Sequence, residues 1–162
     1  MTSPIRIGLI GMGTVGTGVV RVLQDSAEHI SRQAGRAVLV DHVVVQDPSK
    51  QRSIELPGDQ ISNDFAQVRH NPDISIVALL LGGLEPARTL AIELLKSGKD
   101  LVTANKALLA EHGPELFGVA HEMGRSIAFE AAVAGGIPIV SAISECLTGN
   151  RISSIRGILN GT

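Results

Sequence analysis

Tryptophan and tyrosine are absent from this sequence, and phenylalanine occurs only three times. The core must therefore be built from valine, isoleucine, leucine and alanine, which suits the branched strands of a parallel sheet buried on both faces. Charge of one sign is also lacking. Fourteen basic residues against 16 acidic ones leave a formal charge of −2, so there is no basic footprint for nucleic acid. No apolar run reaches the length that spans a bilayer and no secretory leader precedes the first apolar strand, so the expectation is a cytoplasmic protein without a membrane partner. The single cysteine, Cys146, excludes an internal disulfide and a cysteine-built zinc cage. It lies beside Ile143 and Leu147 in an apolar helical pattern, and is expected to be a buried structural thiol. His29, His42, His70, His112 and His121 show no metal-ligand spacing and read as surface or satisfied core residues.

What is present is a chain of 162 residues, long enough for one domain with a real core, and 44% hydrophobic, as in ordinary globular proteins. Apolar runs alternate with helical patterns along its length. Ile5–Ile10 reads as a first strand and Thr14 to about Ala34 as a helix, with Val15, Val19, Val22, Leu23 and Ile30 covering the sheet. Ala37–Gln46 reads as a second strand, closed by Asp47-Pro48. Residues 47–63 read as an irregular loop, and Asp64 caps a short helix through His70. Ile74–Leu81 is the clearest buried strand, followed by a helix with Pro86 in its first turn and Gly98 past its end. Asp100–Thr103 is a brief strand. Two helical stretches follow, over Ala107–Glu111 and Pro114–Met123, then a strand over Ser126–Phe129. Gly135-Gly136 leads through Pro138 into an apolar helix ending near Leu147. Ile152–Leu159 reads as a final strand. This alternation predicts an α/β fold, a Rossmann-like doubly wound parallel sheet.

The residues that carry chemistry begin with Gly11-x-Gly13-x-x-Gly16, placed between the first strand and the first helix. In a dinucleotide-binding turn the first glycine permits the bend, the second admits a pyrophosphate and the third lets helix and strand pack closely. Gly11, Gly13, Thr14, Val15 and Gly16 are the candidate cradle, through backbone N–H groups and the helix dipole; the alternative is a packing turn. Asp47, at the end of the second strand, can accept hydrogen bonds from adenosine ribose hydroxyls, or can simply cap the turn before Pro48. Gln46 beside it is uncharged, which leans toward NAD, while Lys50 and Arg52 are near enough to serve NADP. Gly82 and Gly83 fall at the carboxyl edge of the sheet, where missing side chains let a cofactor approach the backbone. Lys106 follows a strand end, where an ammonium can hydrogen-bond a reacting hydroxyl or carbonyl, with Thr103 and Asn105 positioning it, and all three are expected among the cofactor-binding residues. The alternative is a solvated lysine, although a cation at a helix start is disfavoured.

Five segments together resemble homoserine dehydrogenases: Gly-Leu-Ile-Gly-Met-Gly-Thr-Val-Gly (8–16), Leu-Gly-Gly-Leu-Glu-Pro-Ala (81–87), Val-Thr-Ala-Asn-Lys-Ala-Leu-Leu-Ala (102–110), Phe-Glu-Ala-Ala-Val-Ala-Gly-Gly-Ile-Pro (129–138) and Gly-Ile-Leu-Asn-Gly-Thr (157–162). They fall in the family's order. The chain departs from the family at Leu79, where a glutamate is usual, and at Gln46, where a basic residue is common. The resemblance implies NAD or NADP as cofactor, interconversion of L-homoserine and L-aspartate 4-semialdehyde in amino-acid biosynthesis, and Lys106 as a candidate catalytic group contacting cofactor and substrate. By the same resemblance the homoserine-contacting acidic residues and a lysine proton donor lie past this chain, which alone is expected to bind cofactor but to turn over slowly or not at all. The resemblance also implies a sodium ion held by Glu130, Val133, Gly135 and Ile137, for which a plain structural turn is the alternative, and a nicotinamide contact at Gly161. By the same resemblance, residues 1–150 are the nucleotide-binding domain. Residues 151–162 begin a substrate and dimerisation region that continues past this chain, and the full-length form is a homodimer. Two other readings fit the same turn: a different dehydrogenase of this architecture, and a non-catalytic nucleotide-sensing module.

Overall fold

A computed structural model describes residues 3–157 of the chain. Its strands are β1 (Ile5–Ile10), β2 (Val38–Val44), β3 (Ile61–Ser62), β4 (Ile74–Leu79), β5 (Asp100–Thr103) and β6 (Ile127–Ala128). The helices are α1 (Thr14–Asp25), α2 (Ala27–Ala34), α3 (Ala66–Arg69), α4 (Ala87–Lys96), α5 (Lys106–Glu122) and α6 (Ile139–Ser141), the last continuing as a π-helix over Ala142–Cys146. All strand pairs are parallel, in the order β3-β2-β1-β4-β5-β6. This is the Rossmann-like doubly wound sheet that the alternating pattern predicts. Chain order reverses between β1 and β4, so their carboxyl ends open a crevice. No helix among the described residues is long and apolar enough to cross a membrane.

Two cores form because neighbouring residues of a strand face opposite sides. Leu9, Val43 and Ala78 pack with Val20 of α1 on one face. Ile10, Val44, Val77 and Leu79 pack on the other face with Leu94 and Leu95 of α4 and with Leu108 and Leu116 of α5. Branched aliphatic residues supply nearly all of this, as the missing aromatics require.

Several expected elements differ. The first helix breaks at Ser26 (φ −111°, ψ 20°), because α1 lies on the sheet whereas α2 buries no residue and serves to turn the chain toward β2. The buried face of α1 is Gly16 and Val20, with Val19 and Leu23 half-buried; Val15 and Val22 are 52% and 57% exposed. The loop over 47–63 contains β3, a two-residue edge strand paired with β2. Asp64 does cap α3, its Oδ1 accepting from Ala66 N at 2.9 Å.

The two helical stretches expected after β5 are one helix, α5, running through Pro114. An interior proline costs about 3 kcal/mol. Each fully buried leucine returns roughly 1.5–3 kcal/mol, and Leu108 and Leu116 flank the proline on one buried face. Cys146 is exposed rather than buried, because only the first turn of its helix packs on the body. The final strand is not formed over 152–157, where Ile152 and Ile155 are exposed and no ladder partner stands beside them among the described residues. Residues 158 and 159 lie outside the described residues, as does Gly161. His42 is buried with its Nε2 2.8 Å from Ser62 Oγ, a satisfied core histidine.

Candidate dinucleotide site

The glycine turn sits at the crevice because β1 ends there and α1 starts at once. Gly11 takes φ +94°, a left-handed conformation, and its N–H donates to Val44 O at 2.9 Å, tying the turn to β2. A Cβ on Gly16 would lie 2.2 Å from Gly11 O, so only glycine lets α1 leave the strand this closely. Gly13 is different: a Cβ there would meet nothing within 4 Å. The space over Gly13 is open, and Gly13 lines the larger cavity beside the turn. Intrahelical bonding begins with Thr17 N donating to Gly13 O. The N–H groups of Thr14, Val15 and Gly16 are therefore left at a helix start with no acidic residue in the first turn, a setting that favours an anion.

Two cavities open from this turn and share Leu81 and Gly82. The larger, about 840 Å³, runs from Gly11 and Gly13 past Gln46 and Asp47 to Lys50 and Arg52. The smaller, about 350 Å³, lies between Val15 and the Ala104-Asn105-Lys106 segment. The pair makes one elongated site with a wide lobe over β2 and a narrow lobe over β5. Asn63 and Phe65 also line the wide lobe. They were illegible in the sequence because β3, which carries the chain to them, is only two residues long.

In the wide lobe Asp47 Oδ1 accepts from Ser49 N (2.9 Å) and Ser49 Oγ (2.6 Å). Those donors hold its carboxyl below the usual carboxylate range. Asp47 thus does cap its turn, and it also lines the cavity. The two readings of the residue are compatible.

In the narrow lobe, buried Thr103 donates to Leu79 O (3.0 Å) and its hydroxyl accepts from Asn105 N (3.2 Å). Asn105 Oδ1 caps α5 by accepting from Leu108 N, while Nδ2 donates to Leu81 O (2.9 Å) and Gly83 O (2.6 Å). One amide therefore locks the ends of β4 and β5 to each other. Lys106 follows as the first residue of α5, exposed and lining the lobe. Gly83 takes φ +77°, a left-handed turn, whereas Gly82 faces both cavities. The buried lysine is Lys99, whose Nζ donates to Asn71 O (2.5 Å) and Ile74 O (2.6 Å) and whose pKa burial pushes down. It precedes β5, at the amino edge of the sheet, so its environment is structural.

Glu130 lies apart from both cavities' linings. Its Oε1 accepts from Val140 N (2.9 Å), and its Oε2 from Ser141 N (3.0 Å) and Ser141 Oγ (2.5 Å). These donors, the Ser141 hydroxyl foremost, hold its carboxyl below the usual range. Both oxygens serve the start of α6. Between them runs a turn in which Ala134 and Gly135 take φ of 54° and 62°. The Ile137 carbonyl accepts from Ile139 N at 2.8 Å. Among the described residues no three His, Cys, Asp or Glu side chains gather as a metal cluster.

Comparison with known proteins identifies the family. The family model described as the NAD-binding domain of homoserine dehydrogenase matches residues 11–130. The chain is 45% identical to a homoserine dehydrogenase of Pseudomonas aeruginosa over 159 residues, covering 98% of this chain and 36% of that one. It is 42% identical to a homoserine dehydrogenase of Bacillus subtilis with the same coverage. A crystal structure of a homoserine dehydrogenase from Thiobacillus denitrificans superimposes with a TM-score of 0.84 at 46% identity, over 92% of this chain and 34% of that one. The chain thus spans about a third of the length of the curated relatives it matches.

Proposed function

The chain belongs to the family of homoserine dehydrogenase NAD-binding domains, and we propose that it carries the cofactor half of an NAD(P)-dependent interconversion of L-homoserine and L-aspartate 4-semialdehyde. The observation that carries this reading is the continuous two-lobed crevice meeting at Leu81–Gly82 beneath the Gly11–Gly16 turn. A bound NAD(P) supplies hydride transfer at its nicotinamide. The protein's own work is to bind, orient and handle a proton.

The steric test favours a dinucleotide. Gly16 is filled by its own backbone, Gly13 lines the open wide lobe, and the first N–H groups of α1 follow it with no acidic residue in the first turn. Asp47 is the ribose-contacting residue of the wide lobe. Thr103 and Asn105 act through the backbone: they fix the Leu79, Leu81 and Gly83 carbonyls and place Lys106 beside Gly82. Lys106 is the catalytic residue. Its ammonium hydrogen-bonds the reacting oxygen and shifts the proton affinity of that oxygen, while the lysine that donates the proton, as the resemblance implies, lies in the family's region past this chain.

Residues 1–150 form the nucleotide-binding part, with 151–162 leading to a substrate and dimerisation region in a full-length homodimer that acts in the cytoplasm. Gly161, outside the described residues, belongs to the nicotinamide side. A sodium ion at the 130–137 turn would rest mainly on main-chain oxygens of Val133, Gly135 and Ile137, because the Glu130 carboxylate already holds the α6 amides. Hard monovalent cations accept such carbonyl ligands.

Calorimetric titration with NAD and NADP tests the binding claim, and Lys106→Ala in the full-length enzyme tests the chemistry. The expected result is a loss of about 10²–10⁴ in kcat, larger than the accompanying loss of cofactor affinity. Unchanged kcat and KM would remove Lys106 from the reaction.

A further inference from the structure

The wide lobe contains an arginine whose hydrogen bonds determine what the lobe can recognise, and the argument rests on the dinucleotide reading above. Arg52 lines the cavity with Gln46, Asp47 and Lys50. A guanidinium at this place is the obvious partner for a 2′-phosphate, since arginine binds phosphate through two adjacent N–H groups. Its donors are committed elsewhere. Nη1 donates to Lys50 O at 2.7 Å and Pro48 O at 3.3 Å, and Nη2 donates to Asp47 O at 2.8 Å. Nε is buried and has no hydrogen-bond partner. An end-on fork needs Nη1, which is taken; a side-on fork needs Nε, which a ligand cannot reach. Neither bidentate geometry is open to an anion in the lobe.

Every Arg52 bond ends on a main-chain carbonyl of residues 47–50. The guanidinium closes the turn from within. Ser49 pins the Asp47 carboxylate from the other side, through its amide and hydroxyl. The group that this turn offers to the lobe is therefore an ionised carboxylate. Such a carboxylate accepts from ribose hydroxyls and repels a phosphate in the same place.

We propose that Arg52 is a positioning residue that sets cofactor choice: by stapling the 47–52 turn it presents the Asp47 carboxylate at the adenosine ribose and so favours a dinucleotide without a 2′-phosphate. Lys50 is the remaining cation of the lobe. Its ammonium stands in the same lobe as the Asp47 carboxylate and is expected to attract the phosphates of either dinucleotide.

The test is calorimetric titration of the protein with NAD and with NADP, separately, for the wild type and for Arg52→Ala, Arg52→Lys and Lys50→Ala. Wild type is expected to bind NAD at least tenfold tighter than NADP. Both Arg52 variants should weaken NAD by about tenfold and leave NADP within threefold, so the ratio falls toward one. Lysine should not rescue, because one ammonium cannot span three carbonyls in the guanidinium plane. Lys50→Ala should weaken both dinucleotides by a similar factor. If Arg52→Ala does not fold, Arg52→Gln replaces it: one amide cannot hold the three carbonyls either, so the NAD preference should fall there too. Tighter NADP binding by wild type, lost in Arg52→Ala or Lys50→Ala, would overturn the proposal in favour of a phosphate clamp. An unchanged ratio in the Arg52 variants would overturn it while leaving the dinucleotide reading standing. Failure of wild type to bind either dinucleotide would remove both.

Discussion

Glycines 13 and 16 look equivalent as letters of one motif, yet the structure gives them separate tasks. At Gly16 the obstacle to a side chain is the protein's own carbonyl, 2.2 Å from the position of a Cβ. At Gly13 nothing of the protein stands in the way, and its backbone (φ −83°, ψ −154°) suits any residue. Gly16→Ala should therefore destabilise the fold, by about 1–3 kcal/mol as overpacking does, and lose cofactor binding as a consequence. Gly13→Ala should change stability by no more than about 1 kcal/mol while weakening cofactor binding roughly tenfold, about 1.4 kcal/mol. Denaturant melts and titrations on the two variants separate these outcomes. If Gly13→Ala bound cofactor as well as wild type does, the space above it would not be where the pyrophosphate lies. The same division runs through the polar residues. Asp47 both caps its turn and faces the lobe, whereas Glu130 is committed to the amides of α6.

At the scale of elements, the ends of β4 and β5 are the part of the site most dependent on one side chain. Asn105 caps α5 through Oδ1 and holds two carbonyls through Nδ2. Asn105→Asp keeps the cap and loses the donors; Asn105→Ala loses both. Loss of a cap costs about 1 kcal/mol, so the alanine variant should melt lower than the aspartate variant. Both should weaken binding in the narrow lobe, because Lys106 and Gly82 then lose their common tether. Equal affinity for cofactor in wild type and Asn105→Asp would assign the tether to stability alone. The parallel strands were legible in the sequence because branched aliphatic runs buried on both faces carry their own signal, as in Ile74–Leu79. The placement of the glycine turn and of Lys106 was legible because each follows a strand end. What was illegible depends on contacts made at a distance. The break at Ser26 separates α1, which buries Gly16 and Val20 on the sheet, from α2, which buries no residue. The continuity of α5 through Pro114 comes from leucines buried on either side of it. Cys146 and Ile155 have apolar neighbours in sequence but little protein to pack on among the described residues. Arg52, which closes a loop through carbonyls, leaves no trace in residue types.

For the molecule as a whole, the site is a seam rather than a pit. β1 and β4 part at the crevice, the wide lobe rests on β2 and β3, and the narrow lobe on β5 and α5. A ligand lying along that seam touches most strands of the sheet at their carboxyl ends, so its binding free energy adds to the stability of the whole sheet rather than of one loop. Binding to the native state alone stabilises by RT ln(1 + [L]/Kd), about 2.7 kcal/mol at a hundredfold excess over Kd. For a domain of this size each kcal/mol raises Tm by roughly 2–4 °C, so saturating dinucleotide should raise the melting temperature by about 5–10 °C in one cooperative step. Adenosine monophosphate, which reaches only the wide lobe, should give a smaller rise. Nicotinamide mononucleotide should give little by itself, because the narrow lobe is less than half the volume of the wide one. A two-step melt in which only one transition moved would mean that the ligand stabilises part of the sheet. The seam would then be two independent pockets. Homoserine turnover by these 162 residues alone is expected to be undetectable under the same conditions, since the narrow lobe offers Lys106 as its ionisable side chain and the curated relatives are nearly three times as long. Measurable oxidation of homoserine by this chain would place a complete substrate site within the sheet's own loops.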